Sequence, residues 1–186
     1  KVQKGAAVFN IDKLKWLNKQ YMRLLPEEKI VEDILGRFPP DLRAKASADP
    51  DIFKKTLPVI IDHIATFGEV SVLAEAGEYD YFFDDPVYDP MKLLWKDENE
   101  KSKAFLKLDK TFALLNGIDD AFFTPETIKA ALWDYATEAG RGSVLWPMRY
   151  ALSGREKSPD PLTLAGILGR STTCRRISTA LKLLAE

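Results

Sequence analysis

Arginine recurs at Arg141, Arg149 and Arg155 inside the stretch GRGSVLWPMRYALSGREKSPDP, residues 140–161, where acid is almost absent before Glu156. Guanidinium groups offer forked donors that suit phosphates and base edges. Trp146 and the proline faces offer flat surface on which bases stack, worth ~1–3 kcal/mol per base for an aromatic side chain. Helices opening near Ser143 and Pro161 would add unpaired backbone N–H groups, which favour phosphate. If Met148, Ala151 and Leu152 point inward, Arg149 lies on another face and can reach a ligand. These features fit a grip on single-stranded nucleic acid. They also fit a solvated basic face, with Arg149 in a surface ion pair and Trp146 in plain core.

Other chemistry is sparse. His63 is the only histidine and lies beside isoleucines at helical spacing, as a partly packed residue or a binding contact. Cys174 is the only cysteine, which excludes an internal disulfide and a cysteine metal cluster and fits a reducing compartment. Asp84, Asp85 and Asp89 lack the loop glycine and terminal glutamate of an EF-hand, so capping or solvation is their expected use. The run Asp97–Glu98–Asn99–Glu100 reads as a helix start or a solvent face. No glycine-rich phosphate loop occurs. The expectation is a chain with no catalytic residue, no metal site and no cofactor of its own.

Charge is unevenly spread over the 186 residues, whose formal net charge is −1. Residues 141–186 hold 8 Lys or Arg against 3 Asp or Glu, leaving 19 of the 27 basic and 25 of the 28 acidic residues to the rest. A basic end on an acidic body can hold a polyanion locally although the whole molecule is no polycation. No apolar run approaches the ~18–20 residues that cross a bilayer, and the start KVQKGAAVFN has no signal-peptide core. The expectation is a soluble, cytoplasmic monomer, with no membrane partner. The missing initial Met reads as a start in mid-protein.

The elements that would position these residues are helices. Asn10 caps the first, with Ile11, Leu14, Leu17 and Tyr21 near one face. Pro26 opens the next, which carries Ile30, Val31, Ile34 and Leu35 to Gly36. RFPPDLRAKASADP reads as a connection, Asp49–Pro50 as a helix start, and Pro58 as a kink or restart. Ile60, Ile61, Ile64 and Phe67 continue an apolar face that Gly68 interrupts. EYDYFFDDPVYDP reads as the junction of two helical subdomains, 1–85 and 86–186. Thr124–Pro125 opens a helix that closes at Gly140, Ser143 and Pro147 open one ended by Gly154, Asp160–Pro161 opens one ended by Gly169, and Ser171 caps the last. Nothing alternates like a strand, so the expected fold is all-α, two packed helical subdomains.

Order and spacing carry a resemblance over nearly the whole chain. VFNIDKLKWLNKQYMR, with Phe9, Asp12, Lys13, Leu14, Trp16, Leu17, Asn18, Tyr21 and Arg23 in register, is similar to the segment after the catalytic core of bacterial-type glutamyl-tRNA synthetases. YDYFFDDPVYDP resembles the aromatic stretch between their two helical subdomains, and WPMRYALSG followed by SPDPLTLAGILGR resembles their Pro-Leu-Arg-x-Ala-Leu-Thr-Gly element and Leu-Gly-Lys turn. The resemblance is to the C-terminal anticodon-binding region, an α-helical cage; the His-Ile-Gly-His and Lys-x-Ser-Lys signatures for ATP are missing.

What the resemblance implies is a fragment that is inactive alone. The parent enzyme would join glutamate to its tRNA with ATP and Mg²⁺, and this part would grasp the anticodon stem and loop. Arg149 would touch anticodon bases, and Ser158, Pro159 and Pro161 would form the turn around splayed bases. Arg141, Arg155 and Arg175 or Arg176 would hold the backbone. The family commonly has Thr-Pro followed by Gly-Leu at that turn, whereas Asp160 and Pro161 stand here and change the pocket floor. Relatives that reject glutamine tRNA place an arginine near residues 60–64, where this chain offers His63. The implied partners are therefore glutamate tRNA and, with weak discrimination, glutamine tRNA. The rival from the residues themselves is a protein–protein module using a Trp146/Tyr150 surface.

Overall fold

Four α-helix starts are marked by side-chain caps in the computed structural model, which describes residues 10–96 and 98–186. Phe9 and Asp97 lie outside the described residues. The Asn10 carboxamide oxygen accepts from the Lys13 N–H at 2.9 Å and opens α1 (Ile11–Arg23). Helix α2 (Glu27–Leu35) follows Pro26, which stands just ahead of the first turn rather than inside it. The Asp49 carboxylate accepts from Ile52 N–H at 3.1 Å at the start of α4 (Pro50–His63). Thr124 and Thr127 form a capping box at α7 (Pro125–Ala139). All regular elements among the described residues are helical.

Two expectations about the first half are corrected. RFPPDLRAKASADP is not a bare connection: it contains α3 (Pro40–Ala48), whose Leu42 and Ala46 are buried. Pro39 and Pro40 sit where a first turn needs no N–H, so they start this helix instead of forbidding it. Of the kink or restart expected at Pro58, the restart does not occur: α4 runs through it. An interior proline costs ~3 kcal/mol. Burial of Phe53, Leu57, Ile60 and Ile61 from the same helix, at ~1.5–3 kcal/mol for each large side chain, outweighs that.

The chain forms two compact units, Lys1–Tyr79 and Asp80–Glu186, divided at the start of the aromatic stretch. In the first unit, Phe38 meets Phe53 edge-on at 5.8 Å and Tyr79 at 5.7 Å, and Ile34, Ile60, Ile64 and α5 (Gly68–Glu75) through Val70 complete the core. Gly68 thus begins a helix. Helix α1 contributes one buried side chain, Met22, and Arg23 pairs with Asp62 of α4 at 2.5 Å. The face expected to be inward is exposed at Ile11, Leu14 and Tyr21.

In the second unit, α6 (Lys101–Asn116), α7, α8 (Arg141–Ser153) and α9 (Pro161–Ala185) pack on one another. Their core is Leu108, Leu115, Ile128, Leu132, Val144, Met148, Leu152, Leu164 and Ile177. Helix α8 starts at Arg141 and runs through Pro147, so Ser143 and Pro147 open nothing; Gly154 ends it as expected. The break expected at Gly169 is real. Its φ of 75° and ψ of 168° interrupt helical geometry inside α9, a conformation open to glycine at no steric penalty. No single helix among the described residues is long and apolar enough to cross a membrane.

Candidate nucleic-acid interface

Helix α8 divides its residues by side. Met148, Ala151 and Leu152 are fully buried, which leaves half-buried Arg149 on the other side. There a groove of about 490 Å³ collects Arg141 and Arg149 with Trp95, Trp133, Trp146 and Pro161. Trp146 donates its indole N–H to the Lys92 carbonyl at 2.9 Å, and its ring lies 5.4 Å from that of Trp95. The Arg141 guanidinium stands 4.3 Å from the Trp133 ring centroid, and the Lys129 ammonium 4.9 Å from the same ring. Lys96 lies 4.8 Å from the Trp95 ring. Indole faces beneath a cationic rim suit stacked bases and the phosphates that join them.

Two tryptophans of this groove escape sequence reading. Trp95 comes from far up the chain, and Trp133 belongs to α7. A small residue was the available signal: an added Cβ at Gly142 would stand 2.6 Å from Trp95 ring carbons. Gly142 lets that indole lie against the start of α8. Gly142→Ala is expected to lower stability by ~1–3 kcal/mol through overpacking. Thermal unfolding followed by tryptophan fluorescence reads the loss and the displaced ring together.

The phosphate site expected at the start of α9 is already filled. One Asp160 carboxylate oxygen accepts from Leu162 N–H at 3.1 Å and Thr163 N–H at 3.0 Å, so the chain supplies its own anion there. Near the start of α8, the Ser143 hydroxyl bonds the carbonyls of Ala139 and Gly140 at 3.0 and 2.9 Å and faces no ligand. Ser158 and Pro159 are half-buried in the turn before Asp160, with the Ser158 hydroxyl donating to the Pro159 carbonyl at 3.1 Å.

Other arginines are drawn to a second place. Arg155 lines a cleft with Asp80, Asp84 and Asp85, and its guanidinium is 6.0 Å from the Tyr81 ring. Arg175 pairs with Asp85. Arg176 is 4% exposed and donates to the carbonyls of Tyr81, Leu152 and Asp84 at 2.7, 2.6 and 2.7 Å, and to Asp85 at 3.1 Å. As a backbone-holding residue Arg176 is therefore corrected: burial and these carbonyls use its donors. His63 ends α4, exposed, with Nδ1 2.7 Å from the Val59 carbonyl. Of the Trp146/Tyr150 surface, only Trp146 is accessible. Tyr150 is buried, edge-on to Tyr88 at 5.6 Å.

Asp85 also sets a pH dependence. Hydrogen bonds from Arg175, and then from Arg176, hold its carboxyl below the usual carboxylate value. A depressed folded-state value means the bond contributes fully above the unfolded carboxylate pKa of ~3.9 and is lost as pH falls below it. Acid unfolding of Asp85→Asn is expected to be flatter below that pH than that of the unsubstituted chain. Equal slopes would remove Asp85 from the acid response.

Comparison with known proteins gives a family. Residues 19–181 match the family model described as an anticodon binding domain. The chain is 28% identical over its whole length to the glutamate–tRNA ligase of Lachnoclostridium phytofermentans, covering 36% of it, and 29% identical to that of Chlorobaculum parvum, again covering 36%. It thus spans about a third of the relatives it matches. A solved glutamate tRNA ligase from Elizabethkingia meningosepticum has a TM-score of 0.64 at 24% identity, with 98% of this chain and 34% of that one superposed, and so shares the fold. With the match running from α1 almost to the end of α9, through every residue of the aromatic groove, the chain belongs to the anticodon-binding domain family.

Proposed function

We propose that the chain is the anticodon-reading part of a glutamate–tRNA ligase. The observation that carries this is the groove on α8, where Arg141 and Arg149 rim three indole faces. The catalytic remainder would use ATP and Mg²⁺ to join glutamate to its tRNA. The first unit, Lys1–Tyr79, follows that remainder, and the second, Asp80–Glu186, reads the loop. Arg149 bonds base edges, Arg141 holds a phosphate from its seat on Trp133, and Ser158, Pro159 and Pro161 border the unstacked bases. Arg155 and Arg175 stand beside aspartates and act at most on the flanking backbone. The protein works as a cytoplasmic monomer. With His63 as the side chain on offer at the end of α4, the parent charges glutamine tRNA as well as glutamate tRNA.

A filter-binding titration with the anticodon stem-loop of glutamate tRNA tests the reading. Saturable binding is expected, weakening roughly tenfold or more between about 50 and 200 mM salt as counterions cease to be released. Binding that never saturates at either salt concentration would sink it. Comparable charging of the two tRNAs by the parent supports the relaxed specificity, and strict rejection of glutamine tRNA removes it.

A further inference from the structure

The groove on α8 holds a carboxylate beside its cations. Asp160 lines it with Arg141 and Arg149. Proline on either side, Pro159 and Pro161, keeps the Asp160 backbone extended at φ −58° and ψ 147°. Its Oδ1 accepts from Leu162 N–H and Thr163 N–H, which fills that oxygen's lone pairs and fixes the side chain. Oδ2 has no protein partner among the described residues, and neither Arg141 nor Arg149 forms an ion pair with Asp160. An exposed, rigid acceptor that the chain leaves unused suits one donor of a ligand and repels a phosphate.

We infer that Asp160 makes the groove selective for cytosine. The inference rests on the anticodon reading above. Cytosine presents an exocyclic amino group beside two adjacent acceptors, its ring N3 and its O2. Oδ2 of Asp160 accepts from the amino group, and the Arg149 fork donates to the two acceptors. Uracil carries a carbonyl where cytosine has the amino group, and so sets an oxygen against the carboxylate. Guanine offers two adjacent donors, which call for both carboxylate oxygens, and Oδ1 is already committed. Adenine has a single acceptor beside its amino group, too few for the fork. Arg149 alone is a donor only, and it meets the carbonyls of uracil as readily as the acceptors of cytosine.

Asp160→Asn tests this with little change of shape. The carboxamide oxygen stays on the N–H groups of Leu162 and Thr163, since asparagine caps a helix as well as aspartate does. The amide NH2 then stands where Oδ2 stood, a donor in place of an acceptor. Filter binding is run on the 186-residue chain with the anticodon stem-loop of glutamate tRNA, and with loops in which each cytosine is replaced in turn by uracil. For the unsubstituted chain one of these replacements is expected to weaken binding about tenfold, within the range of a single misread base. In Asp160→Asn the same ratio is expected to fall to about twofold or less, the acceptor being gone. Removing a negative charge raises the affinity for both loops alike, so the ratio isolates the contact. Asp160→Ser, which keeps a cap and removes the carboxylate, gives the same comparison should the asparagine variant fold poorly. The inference is overturned if no replacement weakens binding to the unsubstituted chain, or if the ratio is unmoved in the folded variants. A natural stem-loop that never binds saturably sinks the anticodon reading instead, and this inference with it.

Discussion

Arg176→Ala is expected to unfold the second unit well below the temperature at which the unsubstituted chain unfolds. The guanidinium is nearly sealed from water and ties α9 to two other parts of the unit: the aromatic stretch, through the carbonyls of Tyr81 and Asp84 and the Asp85 carboxylate, and the end of α8, through the Leu152 carbonyl. Alanine leaves these acceptors without their donor, and a buried acceptor left unmade costs ~1–3 kcal/mol. Partial relaxation and water entry keep the sum to about 3–5 kcal/mol, the usual loss when one partner of a buried charged pair is removed. For a unit of this size that lowers Tm by more than about 10 °C. Arg176→Lys should recover only a part, since one ammonium cannot span the fork of carbonyls. A Tm within about 2 °C of the unsubstituted chain would show that the network adds nothing.

Affinity for the anticodon stem-loop is expected to fall roughly 5- to 150-fold in Arg149→Ala, the ~1–3 kcal/mol of a bidentate base contact. The side chain lines the groove and reaches it from the exposed side of α8, whose opposite side is locked by Met148 and Leu152. Arg141→Ala removes the cation held over Trp133 and should reduce the salt dependence by about one phosphate. The double substitution should lose less than the sum, because both groups face one cavity and share the same bound strand. Arg175→Ala, whose charge is already paired with Asp85, is the contrast, with affinity changed less than about threefold, in line with an exposed pair. Circular dichroism establishes that each variant is folded before binding is read. An unchanged affinity for Arg149→Ala at fixed salt would take that residue out of the site.

Local punctuation was legible in the sequence. Asn10, Asp49, Thr124 and Asp160 each accept backbone N–H bonds at the helix starts they mark, because a short acceptor side chain satisfies donors that the first turn leaves open. The end at Gly154 and the break at Gly169 were legible for the complementary reason, the backbone freedom of glycine. Prolines misled. Pro58 and Pro147 lie inside helices, since a proline's local penalty is smaller than what the surrounding core returns.

Helical periodicity says which residues share a face, but not what covers the face. Leu14 and Tyr21 share a side of α1 as their spacing requires, and yet lie open. The arginines make the same point with charge. Arg149 and Arg176 are chemically identical and both sit on well-marked helices. The sequence by itself determined the all-helical class, the helix starts that carry a side-chain cap, the basic tail and the place of Arg149 opposite a buried side of its helix. Only the tertiary structure decided that Trp95 and Trp133 come to Arg141 and Arg149, and that Arg176 turns inward to carbonyls of the aromatic stretch. Capping and periodicity act within a few residues of the chain. The environment of a guanidinium is set by which distant carbonyls, carboxylates and rings the packed core brings within about 3–6 Å of it.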